Sequence, residues 1–61
     1  MRLIIDINVD NSAFDEMGQE IARIFREEAE FWDASKLTNV DVKHPIFDKN
    51  ALEVGHWILT D

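Results

Sequence analysis

Residues 2–9, Arg-Leu-Ile-Ile-Asp-Ile-Asn-Val, alternate: Leu3, Ile5, Ile7 and Val9 fall on one side, and Arg2, Ile4, Asp6 and Asn8 on the other. A period of two with β-branched enrichment predicts a strand. Asp10-Asn11-Ser12 ends it, because each of these side chains bonds nearby backbone and favours turns and caps. The period then lengthens. Phe14, Met17, Ile21, Ile24, Phe25, Ala29 and Trp32 recur at helical spacing and predict one amphipathic helix over residues 13–34. Ser12 is placed to cap it, with Asp15 three residues on, and Asp15 and Glu16 complement the helix dipole. Gly18 inside a helix costs about 1 kcal/mol relative to Ala. Either something packs closely against it or the helix starts later. The outer helix face carries Glu16, Glu20, Arg23, Glu27 and Glu30, with Glu20–Arg23 and Arg26–Glu30 as supporting pairs.

Residues 34–39, Ala-Ser-Lys-Leu-Thr-Asn, show no period and predict a loop. Val40 and Val42 alternate with Asp41 and Lys43, which predicts a strand from about residue 40. Pro45 lacks an N–H donor and demotes that strand to an edge or breaks it. Asp48-Lys49-Asn50 suggests a hairpin turn, followed by a third strand over 51–59. There Leu52, Val54, His56 and Ile58 share one face, and Glu53, Gly55, Trp57 and Leu59 the other. The order β–α–β–β predicts a single α+β domain, residues 1–61. It is a βαββ fold with a three-stranded antiparallel sheet and one helix packed on one face. The favoured order places the third strand between the first and the second. One helix covers one face only. With the Leu3, Ile5, Ile7 and Val9 face as core, the open face is expected to hold Ile4 with Trp57 and Leu59, an apolar patch suited to interaction. A slip of one residue in register would reverse those faces.

Composition narrows the function classes. The 61 residues include 13 Asp and Glu against 6 Lys and Arg, giving a net charge of −7, and no Cys. Disulfides and thiolate metal sites are excluded. A chain this short buries a small fraction of its surface and is marginal alone. Direct nucleic-acid binding and anionic membranes are disfavoured by charge, whereas a basic protein partner is favoured. Arg2, Lys36, Lys43 and Lys49 are scattered and form no basic stripe. Asp6 ends the run Leu3-Ile4-Ile5 short of a signal-peptide core, and no stretch approaches a membrane span, so a cytoplasmic location is expected.

Catalytic chemistry finds little support. His44 and His56 have no metal-ligand spacing, Ser12 and Ser35 lack a catalytic context, and Gly18 and Gly55 stand apart from any phosphate loop. One helix on one sheet offers little concavity in which a carboxylate pKa would shift. The expectation is a protein that is not an enzyme, with no metal and no cofactor.

Several segments resemble a set of short phage and prophage proteins. Those run as a strand, a "DN-A-F" turn, an "E-V-A-R-I-L" helix and a "D-x-N-G-N-x-V-G-x-W" hairpin. The matching positions are Asp10, Asn11, Ala13, Phe14, Glu20, Ala22, Arg23, Ile24, Asp48, Asn50, Val54, Gly55 and Trp57. The hairpin departs from the pattern, with Lys49-Asn50-Ala51 where a turn glycine is usual. The resemblance implies a βαββ miniprotein and carries no activity. The leading expectation is a small acidic phage-type accessory protein that binds a basic host protein in the host cytoplasm. Its sharper form inhibits host defence, as anti-CRISPR or anti-restriction proteins do, by mimicking DNA phosphates with carboxylates. The partner-binding residues expected are Glu16, Glu20, Glu27, Glu30, Asp33 and Trp57. The alternatives are a self-associating, homodimeric module and an antitoxin-like regulatory subunit.

Overall fold

The computed structural model describes residues 1–35 and 37–61; the part of the expected loop at Lys36 lies outside the described residues. The elements are β1 (Arg2–Ile7), a 3-10 turn (Ser12–Phe14), α1 (Met17–Ser35), β2 (His44–Phe47) and β3 (Glu53–Thr60). They form a βαββ fold whose antiparallel sheet has the order β1-β3-β2. Placing β3 centrally pairs it with its hairpin partner β2 on one side and with β1 on the other.

The helix begins later than its period predicts. Asn11, not Ser12, caps the segment: its Oδ1 accepts the Ala13 N–H at 2.8 Å. The intervening 3-10 turn buries Ala13 and Phe14. Phe14 therefore plugs the core ahead of α1 instead of joining its stripe. Among the described residues nothing packs on Gly18: apart from its own turn of helix, a Cβ added there would meet no atom within 4 Å. It lies in the first turn of α1, where a weak helix former is least disruptive.

Register reverses part of the expected division of faces. β1 pairs with β3 as Leu3↔Leu59, Ile5↔Trp57 and Ile7↔Gly55, and β2 pairs with it as His44↔Trp57 and Ile46↔Gly55. Residues directly opposite share a face. The helix side thus holds Leu3, Ile5 and Ile7 as expected, together with Trp57 and Leu59, which were expected on the open face. Trp57 is only 2% exposed. The pairing, not the alternation within β3, fixes this, and Ile58 and His56 take the open face beside Ile4 and Asp6. A bulge at Val54 lies between the pairs Ile46↔Gly55 and Phe47↔Glu53 and turns Val54 inward too. Gly55 is required by close approach, since a Cβ there would lie 1.9 Å from the Asp6 carbonyl oxygen.

β2 starts at His44, not near residue 40, and Pro45 sits inside it on the sheet edge. In the following turn, Asp48 is buried and accepts the N–H groups of Asn50 at 2.8 Å and Leu52 at 3.0 Å. Ala51 adopts φ 62° in this turn. The Asp48 carboxylate organises the turn in place of a glycine, at the cost of a left-handed Ala.

Candidate interaction surfaces

The expected acidic face divides when its residues are placed in three dimensions. Glu16, Glu27, Glu30 and Asp33 are exposed, but Glu20 is only 5% exposed. Glu20 accepts from Arg23 Nε at 2.7 Å and Nη2 at 3.0 Å, and from the Lys49 N–H at 2.7 Å. It therefore clamps α1 to the β2–β3 turn, a correction to its expected place on the outer face. It lies one helical turn before the fully buried Ile24, at the core boundary. Arg23 also pairs with Glu27 at 2.8 Å and reaches the Phe47 carbonyl at 3.4 Å. Among the described residues, Glu16, Glu30 and Asp33 are the part of the expected face that forms no ion pair.

The hydrogen bonds from Arg23 outweigh desolvation and hold the Glu20 carboxyl below its ordinary value of 4.5. The Leu52 and Asn50 N–H groups and Asn11 likewise hold Asp48 below 3.8 against its burial. Glu20, with Glu27, raises the already high value of Arg23. Asn11 Nδ2 donates to Asp48 Oδ2 at 3.0 Å, so one Asn ties the 3-10 turn to the hairpin.

Trp57 also serves the interior, a correction to its expected place on the open face. Its Nε1 donates to Glu28 Oε2 at 2.9 Å, His44 stacks on it at 4.0 Å with planes 8° apart, and Trp32 meets it edge-on at 5.8 Å. Sequence reasoning missed His44 and Glu28 here. Glu28 lies one helical turn beyond Ile24 and two beyond Ile21, and its only signal in the sequence is a break in that apolar stripe. A cleft of about 40 Å³ beside this stack is lined by Phe31, Ser35, Leu37, Thr38, Asn39 and His44 among others. That is room for a few water molecules. His44 Nε2 and Trp32 Nε1 are buried without a hydrogen-bond partner among the described residues.

The sheet face opposite the helix is left open among the described residues. Ile4 and Ile58 are paired across β1 and β3, and Phe47 and Pro45 extend the face along β2. Ile4 is 43% and Phe47 47% exposed. Arg2, Asp6, Glu53 and Thr60 rim them. His56 lies on this face and His44 on the other, so the two histidines cannot meet at one ion. Among the described residues, no three His, Asp or Glu side chains cluster as metal ligands, and no helix is long and apolar enough to cross a membrane.

Comparison with protein-family models, with curated proteins and with solved structures finds no match.

Proposed function

We propose that this chain is a small acidic accessory protein that binds a basic host protein, with the open sheet face as its contact surface. One observation carries the reading: Ile4, Ile58, Pro45 and Phe47 form an apolar face that no element among the described residues covers, on a chain of net charge −7. Apolar anchors inside a charged surround supply affinity at the centre and steering at the periphery. The sharper form, inhibition of host defence by DNA mimicry in the manner of anti-CRISPR proteins, rests on the carboxylates of α1. It has less support than the open face, because Glu20 is internal and Glu27 is tied to Arg23.

The experiment is affinity capture from nuclease-treated host lysate with three baits: wild type, Phe47→Asp, and the triple variant Glu16→Lys, Glu30→Lys, Asp33→Lys. A basic protein captured by wild type and by the triple variant, but lost with Phe47→Asp, supports the open face. Loss with the triple variant alone transfers the reading to charge mimicry. Capture of no basic protein by wild type refutes both.

A further inference from the structure

The two edges of the sheet are treated differently. β2 is four residues long and carries Pro45. His56, opposite Pro45, is also opposite Asp6. The Asn8 N–H bonds the Val54 carbonyl at 2.8 Å, which makes the even-numbered residues of β1 the ones whose backbone groups face β3. By the same alternation His56 bonds toward β1, so the missing N–H of Pro45 points outward and costs the sheet nothing. Arg23 further occupies the Phe47 carbonyl on this edge. β2 thus has the features of a protected edge.

β1 has none of them. It is six residues long, without proline or bulge. The N–H and C=O groups of Leu3, Ile5 and Ile7 face outward, and among the described residues nothing bonds to them. Apolar surface adjoins this edge. Leu3 is 42% exposed. Phe25 is exposed and meets Trp32 edge-on, on the helix flank opposite the one where Glu20 and Arg23 reach the β2–β3 turn.

The strand is complementary to itself. Turned antiparallel about Ile4, β1 places Arg2 opposite Asp6 of a second copy, Asp6 opposite Arg2, and Leu3 opposite Ile5. Backbone parity agrees. Leu3 and Ile5 carry the outward donors and acceptors, so they form the hydrogen-bonded pairs. Ile4↔Ile4 and Arg2↔Asp6 become the non-hydrogen-bonded pairs, whose side chains approach more closely. Sliding each copy to the next allowed register sets Ile4 against Asp6 and leaves both charges unpaired.

We infer that this chain forms a two-fold symmetric dimer by antiparallel pairing of β1 with β1 of a second copy, centred on Ile4, giving one continuous six-stranded sheet. The interface is isologous, so each contact off the two-fold axis occurs twice and Ile4↔Ile4 lies on the axis. The net charge of −7 on each copy opposes association. At physiological salt that long-range repulsion is screened over about 8 Å, and the local charges of the interface cancel.

The test is sedimentation velocity at physiological salt on four proteins: wild type, Arg2→Asp, Asp6→Arg, and the double variant. Arg2 and Asp6 are exposed, and far-ultraviolet circular dichroism verifies that each variant stays folded. Wild type is expected as a dimer. Each single variant faces like charges twice per interface, and its dimer dissociation constant should rise by about tenfold or more. The double variant should return to the wild-type value. Mixing the two single variants in equal amounts should also restore a dimer, because only the mixed pair sets opposite charges face to face at both sites. A wild type that stays monomeric at hundreds of micromolar overturns the inference. So do single variants that dimerise like wild type, or a mixture that fails to recover.

Discussion

Replacing Glu20 by Gln tests the clamp between helix and hairpin. The substitution keeps the shape of the side chain and removes its charge. In the native protein three donors converge on the carboxylate: Arg23 Nε, Arg23 Nη2 and the Lys49 N–H, all within 3.0 Å. The amide offers one oxygen to those donors and presents its own N–H groups to the rest. A hydrogen bond to a charged group contributes about 1.5–3 kcal/mol, and a buried donor left unpaired costs about 1–3 kcal/mol. With one bond retained, the expected loss is about 2–3 kcal/mol. A domain of this size holds a net stability of about 3–5 kcal/mol, so the variant should stand close to its unfolding midpoint in water. The charge also links stability to pH. The folded Glu20 titrates below its ordinary 4.5, so the unfolded chain binds the proton more readily. Its stabilisation is therefore complete well above pH 4.5 and is lost as pH falls through the folded value. Urea unfolding followed by tryptophan fluorescence at pH 7 and at pH 3 measures both effects. Wild type should lose stability on acidification, and Glu20→Gln should lose less, retaining the part due to Asp48. A variant within about 0.5 kcal/mol of wild type at pH 7, the scatter of ordinary surface substitutions, would refute the clamp.

Three further outcomes follow from backbone geometry. Gly55→Ala drives a Cβ to 1.9 Å from the Asp6 carbonyl, so it should separate β1 from β3 and leave a chain without cooperative thermal unfolding. Ala51→Gly relieves the left-handed backbone at φ 62° and should raise stability by about 0.5–1 kcal/mol in urea unfolding, net of the greater freedom of the unfolded chain. Gly18→Ala adds a Cβ into open space in the first turn of α1 and should stabilise by about 0.4–1 kcal/mol, seen as a higher melting temperature.

The alternation of residues 2–9 and the helical stripe ending at Trp32 were enough to define the elements, because those periods record which side of each segment meets water. The order βαββ and the short last connection were enough to make the last two strands an antiparallel pair and favoured β3 in the middle; the structure decides that order. The sequence left Pro45 as an edge residue or a break, since a missing donor has few places in a sheet, and the structure takes the edge. What it did not determine was which face of β3 turns inward. Both alternating sets there contain large apolar residues, and only pairing with β1 seats Trp57 and Leu59 under the helix and Ile58 outside. Nor did the local pattern separate Glu20 from its exposed neighbours. A carboxylate beside an arginine three residues on is usual for a solvated face. The Lys49 N–H that draws Glu20 inside lies 29 residues away. Local periodicity fixes the segments; pairing register and long-range hydrogen bonds, which depend on residues distant in the chain, decide which side chains those segments bury.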